Sequence, residues 1–516
     1  MTHSRNYRTI LKATSLIGGS SFINILIGML RTKFVALLLG PAGIGLMGMF
    51  GTITGTIGSI SSMGLTTSGV RQIAESYGAD DEDRIARTVK TLRRTVLLTG
   101  TLGMLITIGG CAWWSKLTFG TTEHAFAIAL LGFTILLEAI SIGQSCILQG
   151  TRRITDIAKI NVIGSIIGTL ISIACFYLWG MAGIVPSLLL CSTARMITSW
   201  SFARRVAIKE IHLPWRESRI EVAQLLTFGL PIMLSGMGGA LTAYTIRLIL
   251  NQQFGIEGLG SYLAAFGLSG ALVNFVLSAM GTDYYPRLIA VATDKKKIAV
   301  EVNTQTEIGL LLAVPGLAAT LIFSPIIIDI FYTNRFEGAA DILRWLVFGI
   351  FGQIIIWPLG FVVLAMGRSK VTLWAEALND IVYISLIWLC IKQWGLSGAG
   401  IAFALLYVFA ITSFLIITKT IADTSWTGSN VKQIIGSGVI LAIIAANCHF
   451  PPNLYLSQYL VFADYHLSPV WLQWGINLTL LLLLSFYCLF RLLNKIGITK
   501  DIVRQKIYLK LKIKQL

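Results

Sequence analysis

In a chain of 516 residues, 55% are hydrophobic and only 13% charged, whereas soluble domains carry about a quarter charged residues. That balance excludes an ordinary soluble globule and identifies an integral membrane protein. The formal net charge of +17 suggests nucleic acid only until the basic residues are placed along the chain, and seven single cysteines without paired spacing exclude a disulfide frame and a thiolate metal site.

Apolar runs of about 20 residues, enough to cross a hydrocarbon layer of roughly 30 Å as a helix, recur throughout. They predict fourteen transmembrane helices at 13–38, 43–68, 93–114, 124–149, 159–179, 182–203, 222–250, 259–283, 305–330, 341–365, 371–391, 398–418, 433–448 and 469–490. The class is therefore all-α, since barrel strands are half as long and alternate in polarity. The first run is too long, and too charged after its start, for a cleaved signal peptide.

After a basic head with Arg5, Arg8 and Lys12, the first span carries Gly18, Gly19, Asn24 and Gly28, then Arg31 and Lys33. A cation in hydrocarbon is costly, so it normally faces protein or a water-filled cavity; the competing reading is that both side chains snorkel to the interface. The second span holds Gly45, Gly48, Gly51, Gly55 and Gly58 among serines and threonines, a composition that lets membrane helices approach closely. Gly43 to Gly48 also match the dinucleotide pattern GxGxxG, but no strand precedes them and no βαβ unit surrounds them, so a nucleotide site is discounted. No phosphate loop, HExxH or Ser/His/Asp cluster points to catalysis.

The mixed-charge stretch ADDEDRIARTVKTLRR predicts a solvated helix face leading into span three. Span four holds Glu138 near its middle, then Gln144. An acid at that depth is either a proton carrier or the partner of a buried cation such as Arg195. A basic connection at 204–219 then separates spans six and seven. Around it the chain repeats: Trp179-Gly180-Met181-Ala182-Gly183 returns 215 residues later as Trp394-Gly395-Leu396-Ser397-Gly398, and Gly40, Gly43, Gly45 and Gly55 fall at the same offset on Gly255, Gly258, Gly260 and Gly270. Each half holds six spans, and an even number makes the halves parallel repeats about an axis along the membrane normal. The expected organisation is an N-terminal lobe at 1–206, a linker at 207–221, a C-terminal lobe at 222–420, two additional spans within 431–490 and a basic amphipathic tail at 491–516 on the anionic leaflet.

The repeat also brings Arg247 to nearly the depth of Arg31. Two facing halves would gather Arg31, Lys33 and Arg247 around one anion, and forked guanidinium donors suit phosphate oxygens. Asn24, Gln144, Tyr244 and Arg195 are candidate substrate contacts. Asp283 ends span eight at the interface, while Glu376 and Asp380, one turn apart in span eleven, share a face. With Glu138 these acids are the candidates for H⁺ or Na⁺ coupling or for gating; no other cofactor and no metal is expected. Pro231, Pro315 and Pro358 interrupt spans seven, nine and ten. With the N-terminus in the cytoplasm, only Lys116, Arg335 and Lys392 among the basic residues outside the spans fall on the far side. This positive-inside bias places both termini in the cytoplasm and makes the surplus charge a topology signal, not a sign of nucleic acid.

Four stretches carry a family resemblance: KFVALLLGPAGIG from Lys33 to Gly45, Gly69-Val70-Arg71, FYTNRF from Phe331 to Phe336 with the span after it, and Ala365-Met366-Gly367-Arg368. Through them the chain resembles the polysaccharide branch of the multidrug/oligosaccharidyl-lipid/polysaccharide exporter superfamily, most closely the O-antigen and enterobacterial common antigen flippases. The resemblance implies two six-helix bundles arranged as a V about a central cavity. It implies turning of an undecaprenyl-diphosphate-linked oligosaccharide from the cytoplasmic to the periplasmic face of the bacterial inner membrane, with Lys33 and Arg247 at basic positions of the family. The implied partners are that lipid-linked substrate, membrane lipids, and the glycan polymerase and chain-length regulator of the same pathway. The alternative function is a cation-coupled antiporter of drugs or small solutes on the same fold, which calls for acidic and aromatic cavity residues where this chain has cations. A membrane scaffold that organises glycan polymerases is a third class.

Overall fold

The computed structural model describes residues 2–449 other than 80, 210, 212 and 337, together with 469–496. These residues form fourteen α-helices: α1 (Thr2–Ser62), α2 (Leu65–Gly78), α3 (Glu82–Gly109), α4 (Cys111–Phe119), α5 (Ala125–Gly150), α6 (Ile154–Trp179), α7 (Ile184–Ala203), α8 (Trp215–Ala290), α9 (Lys295–Phe331), α10 (Ala339–Ala365), α11 (Ser369–Trp394), α12 (Gly398–Ala422), α13 (Gly428–His449) and α14 (Pro469–Ile496). Most of the expected basic tail, from 497 on, lies outside the described residues.

Helices and crossings do not correspond one to one. Eight helical runs among the described residues are long and apolar enough to cross a membrane, or nine with the pair α3 and α4 joined across a 63° bend. Three of those runs, Ile23–Ser62, Ile154–Ala203 and Lys370–Ala422, are 40, 50 and 53 residues long. At about 1.5 Å per residue, each is at least twice as long as one crossing needs. Each also contains a glycine with positive φ at mid-run, namely Gly40, Gly180 and Gly395, so each is broken at its middle and long enough for two crossings. The second span expected at 43–68 ends earlier, at Ser62. Met63 and Gly64 take φ of 46° and 68° and split off α2, whose buried Leu65, Gly69 and Ile73 line one face. The charged stretch before span three starts α3 with Asp81 as N-cap, its carboxylate accepting from the Arg84 amide at 2.9 Å.

The internal repeat is visible in the backbone. Gly40 (φ 65°, ψ −165°) and Gly255 (φ 70°, ψ −179°) break α1 and α8 in the same way. Gly180 and Gly395 share φ of 55° and 58°, and a Cβ on Gly183 or on Gly398 would strike the carbonyl of Cys175 or of Cys390. All these pairs are 215 residues apart. Left-handed φ excludes most residues other than glycine, which is why the repeat survives as glycines.

The chain divides into two compact units, Met1–Ala264 with Asp329–Glu337, and Ala265–Ile328 with Gly338–Leu516. The division falls inside α8, whereas the charge pattern marks the linker at 207–221. In the first unit α1, α3, α5, α6 and α7 pack on one another around Phe50, Ile53, Ile128, Leu131, Phe176 and Ile184. In the second, α10 packs on α12 and α12 on α11, with Tyr284, Leu288, Leu359 and Phe414 in its core. Pro315 and Pro325 lie inside α9 and Pro358 inside α10, where the long helices continue past them.

Candidate functional site

The first unit contains Arg31, Lys33 and Arg247, and treats each differently. Lys33 Nζ donates to the carbonyl of Asp329, at 2.7 Å, and to that of Tyr332. These oxygens belong to the C-terminal end of α9, where the last four carbonyls of a helix lack intrahelical donors and a lysine satisfies both the hydrogen bonds and the dipole. Two of the stretches that carry the family resemblance, KFVALLLGPAGIG and FYTNRF, thus meet through one ammonium group. Arg247, half-buried on α8, donates from Nη1 to the carbonyl of Gly48, at 3.4 Å, and to Thr52 Oγ1. Arg31 is half-buried and has no hydrogen-bond or ion-pair partner among the described residues.

Glycines hold the helices beside these cations in close contact. A Cβ on Gly45 would collide with the carbonyl of Ile256, and one on Gly260 with the carbonyl of Pro41. Pro41 and Ile256 are repeat equivalents, as are Gly45 and Gly260, so the two halves of the repeat cross reciprocally here. At the centre of the crossing Gly48 faces its own equivalent, Leu263. The nucleotide-like GxGxxG is therefore a helix-crossing motif.

Gly51, Gly55 and Gly58, one face further along α1, have no neighbour among the described residues within 4 Å of their would-be Cβ atoms, and they border a cavity of about 430 Å³. Its wall continues through Thr99 of α3, Thr134 and Glu138 of α5 and Ser192 of α7. The hydroxyls of Thr54, Ser59, Thr99 and Thr134 donate to carbonyls of their own helices, which leaves their lone pairs as acceptors. Glu138 is held by Arg195 Nη1 and by Ser192 Oγ, each at 3.3 Å. The cavity therefore offers acceptors and one paired carboxylate, suited to hydroxyl donors or a small cation.

The remaining sequence candidates are spread. Gln144, 4% exposed, accepts from Arg93 Nη2 at 3.2 Å. Tyr244 is buried, shares a 2.8 Å hydrogen bond with Thr118 and packs edge-on to Trp114. Asn24 keeps a buried Oδ1 with no hydrogen-bond partner among the described residues. In the second unit Glu376 is exposed and Asp380 half-buried on α11; the side chain of Asp283 lies outside the described residues. Sequence reasoning missed Thr52 and the carbonyls of Asp329 and Tyr332, which carry no residue-type signal. It also missed Glu307, 7% exposed and 3.7 Å from Arg491, because it sits where a span was expected to begin and reads as interfacial.

A family model described as "Polysaccharide biosynthesis protein" matches residues 34–341, more than half of the chain. The chain belongs to this family. Among curated relatives, the Lipid III flippase of Escherichia coli (strain K12) is 22% identical over 407 residues, 78% of this chain and 96% of the relative. A Putative O-antigen transporter of Shigella flexneri is 24% identical over 393 residues, 74% and 91% of the two chains. Among solved structures, an inward-facing MATE multidrug resistance transporter of the MOP superfamily matches with a TM-score of 0.65 at 16% identity, over 78% of this chain and 96% of that one. The lipid II flippase MurJ in an inward closed conformation matches with a TM-score of 0.64 at 14% identity, over 91% and 98%. The fold is the one these transporters share, and this member of the family is a multi-pass membrane transporter, not an enzyme.

Proposed function

We propose that the protein is a flippase that moves an undecaprenyl-diphosphate-linked oligosaccharide, an O-antigen-type repeat unit, from the cytoplasmic to the periplasmic leaflet of the bacterial inner membrane. Its termini lie in the cytoplasm, and it acts by alternating access. The observation that carries the reading is the state of two cations. Among the described residues Arg31 is half-buried without a partner, and Arg247, also half-buried, is bonded only to neutral oxygens. A cation inside a membrane span without a carboxylate is costly unless the site receives an anion. A lipid diphosphate supplies about two negative charges that hydrocarbon will not accept, while its polyprenyl tail stays in the bilayer. The lipid-linked or glycan cargoes in the names of its relatives support the same class.

Arg31 and Arg247 are the diphosphate contacts in this reading, and Lys33 fixes the end of α9. The acceptor-lined cavity next to Glu138 takes sugar hydroxyls. Coupling to H⁺ or Na⁺ would run through Glu138, with Glu376 and Asp380 as further acids. The test is a strain lacking the gene, complemented with wild type or with Arg31→Ala. The variant is expected at wild-type abundance, with surface glycan lost and the lipid-linked saccharide accumulating inside. Wild-type surface glycan from Arg31→Ala would overturn the reading.

A further inference from the structure

A second cationic feature lies away from Arg31 and Arg247. The first turns of α3, the end of α7 and the segment after it enclose a groove of about 770 Å³, with Lys90, Arg93, Arg94, Arg204 and Lys209 in its wall. No acidic side chain lines it among the described residues. Charge at span ends is what topology alone requires, and topology is satisfied by side chains fanned out over a loop. Here they are gathered and aimed. Lys90 Nζ donates to the carbonyl of Ile211 at 2.5 Å, and Arg94 Nη1 to the carbonyl of Leu213 at 3.0 Å. Buried Gln144, two helices away in sequence, fixes Arg93. Lys209 is matched by Asp83 at 2.8 Å.

Among the described residues three cations of the groove have no acidic partner: Lys90 and Arg93 meet neutral acceptors, and Arg204, exposed, has no partner. Like charges sharing one groove repel, so the arrangement is relieved by a bound anion of more than one charge. The rest of the wall is apolar, with Ala86, Val89, Val206 and Ile208. Directly after Arg93 and Arg94 the chain turns apolar, which sets the groove at the level of lipid headgroups, on the side that the charge bias assigns to the cytoplasm. Basic pockets at that level select phosphate-bearing headgroups.

We propose that this groove binds the phosphate of a lipid headgroup, at a site separate from the translocation cations; only its loading of a carried lipid rests on the proposed function. Two lipids share that chemistry: an anionic phospholipid of the membrane itself, and a polyprenyl diphosphate waiting to be carried. The test uses the purified full chain in nanodiscs of phosphatidylcholine, titrated with phosphatidylglycerol and, separately, with undecaprenyl diphosphate, bound lipid being read by native mass spectrometry. Wild type is expected to bind at least one of the two saturably. Removal of one arginine weakens that binding about fivefold, first in Arg204→Gln, which holds nothing else in the fold, and further in Arg93→Gln/Arg204→Gln. Arg71→Gln, outside the groove, leaves it unchanged. Saturation by phosphatidylglycerol assigns the site to a membrane lipid, and saturation by the diphosphate alone makes it a loading site for the carrier. Equal binding of both lipids by wild type and Arg204→Gln, or no saturable binding by wild type, would overturn the proposal.

Discussion

Lys33 and Arg31 stand two residues apart on α1, and their side chains serve different ends. Lys33 closes the carbonyl end of α9; Arg31 bonds to nothing among the described residues. Lys33→Met is therefore expected to lower stability by about 1–3 kcal/mol, the cost of leaving part-buried acceptors unmade, read as a fall in melting temperature of the detergent-purified protein. Arg31→Ala should leave that melting temperature unchanged while removing transport; the opposite ranking would mean that the two roles have been exchanged. Sequence placed both cations inside one span and could not separate them, because the carbonyls that Lys33 meets are nearly 300 residues away and belong to the backbone, which has no sequence signature. Tyr244 and Gln144, candidate contacts by type, are bonded to Thr118 and Arg93. A polar residue in a span reads identically whether it waits for a ligand or satisfies a neighbour. For Glu138 the sequence leaves two readings, a proton carrier or the partner of Arg195, and the ion pair at 3.3 Å is present.

At the scale of the helix, glycine spacing carried most of the information. The repeat was legible from two groups of glycines at one offset, and the backbone breaks at Gly40 and Gly255, and at Gly180 and Gly395, occur at those residues. What was not legible was the division of labour along α1. Gly45 and Gly48 hold a helix crossing, whereas Gly51, Gly55 and Gly58 border open space. The two classes make opposite predictions. Gly45→Val must displace a backbone carbonyl and should cost about 1–3 kcal/mol as an overpacking substitution, with loss of folded protein on size-exclusion chromatography. Gly55→Ala should be silent in stability and export, and Gly55→Leu should fold normally yet impair export by filling the cavity. Equal damage from Gly45→Val and Gly55→Ala would show that the stripe is uniform packing. The early end of the second span at Ser62 escaped the apolar pattern because Leu65 and Ile73 continue its hydrophobicity into α2, and only the left-handed Met63 and Gly64 mark the stop.

Over the whole molecule, composition alone gave the class: a charged share of 13% is incompatible with a water-soluble surface of this size, and the apolar runs leave helices as the way to satisfy backbone groups in lipid. The likeness to MurJ covers 91% of this chain, whereas the repeat ends before α13 and α14 and could not assign them. Ion coupling belongs to this scale as well. Dissipating the proton gradient in cells is expected to slow export of the glycan, and an unaltered rate would leave Glu138, Glu376 and Asp380 as structural acids. The identity of the sugars has no physical trace in one sequence, since hydroxyl acceptors such as Thr54 and Ser59 serve any polyol. The central claim, that unpaired cations carry a phosphate head across the bilayer, is tested most directly with purified protein in vesicles loaded on one side with undecaprenyl-diphosphate-linked oligosaccharide. The measurement is the rate at which the glycan becomes accessible to an enzyme added outside. Wild type should expose it at a rate that Arg31→Ala and Arg247→Ala both lose by at least about tenfold, the factor set by roughly 1.4 kcal/mol; equal rates from all three proteins would contradict it.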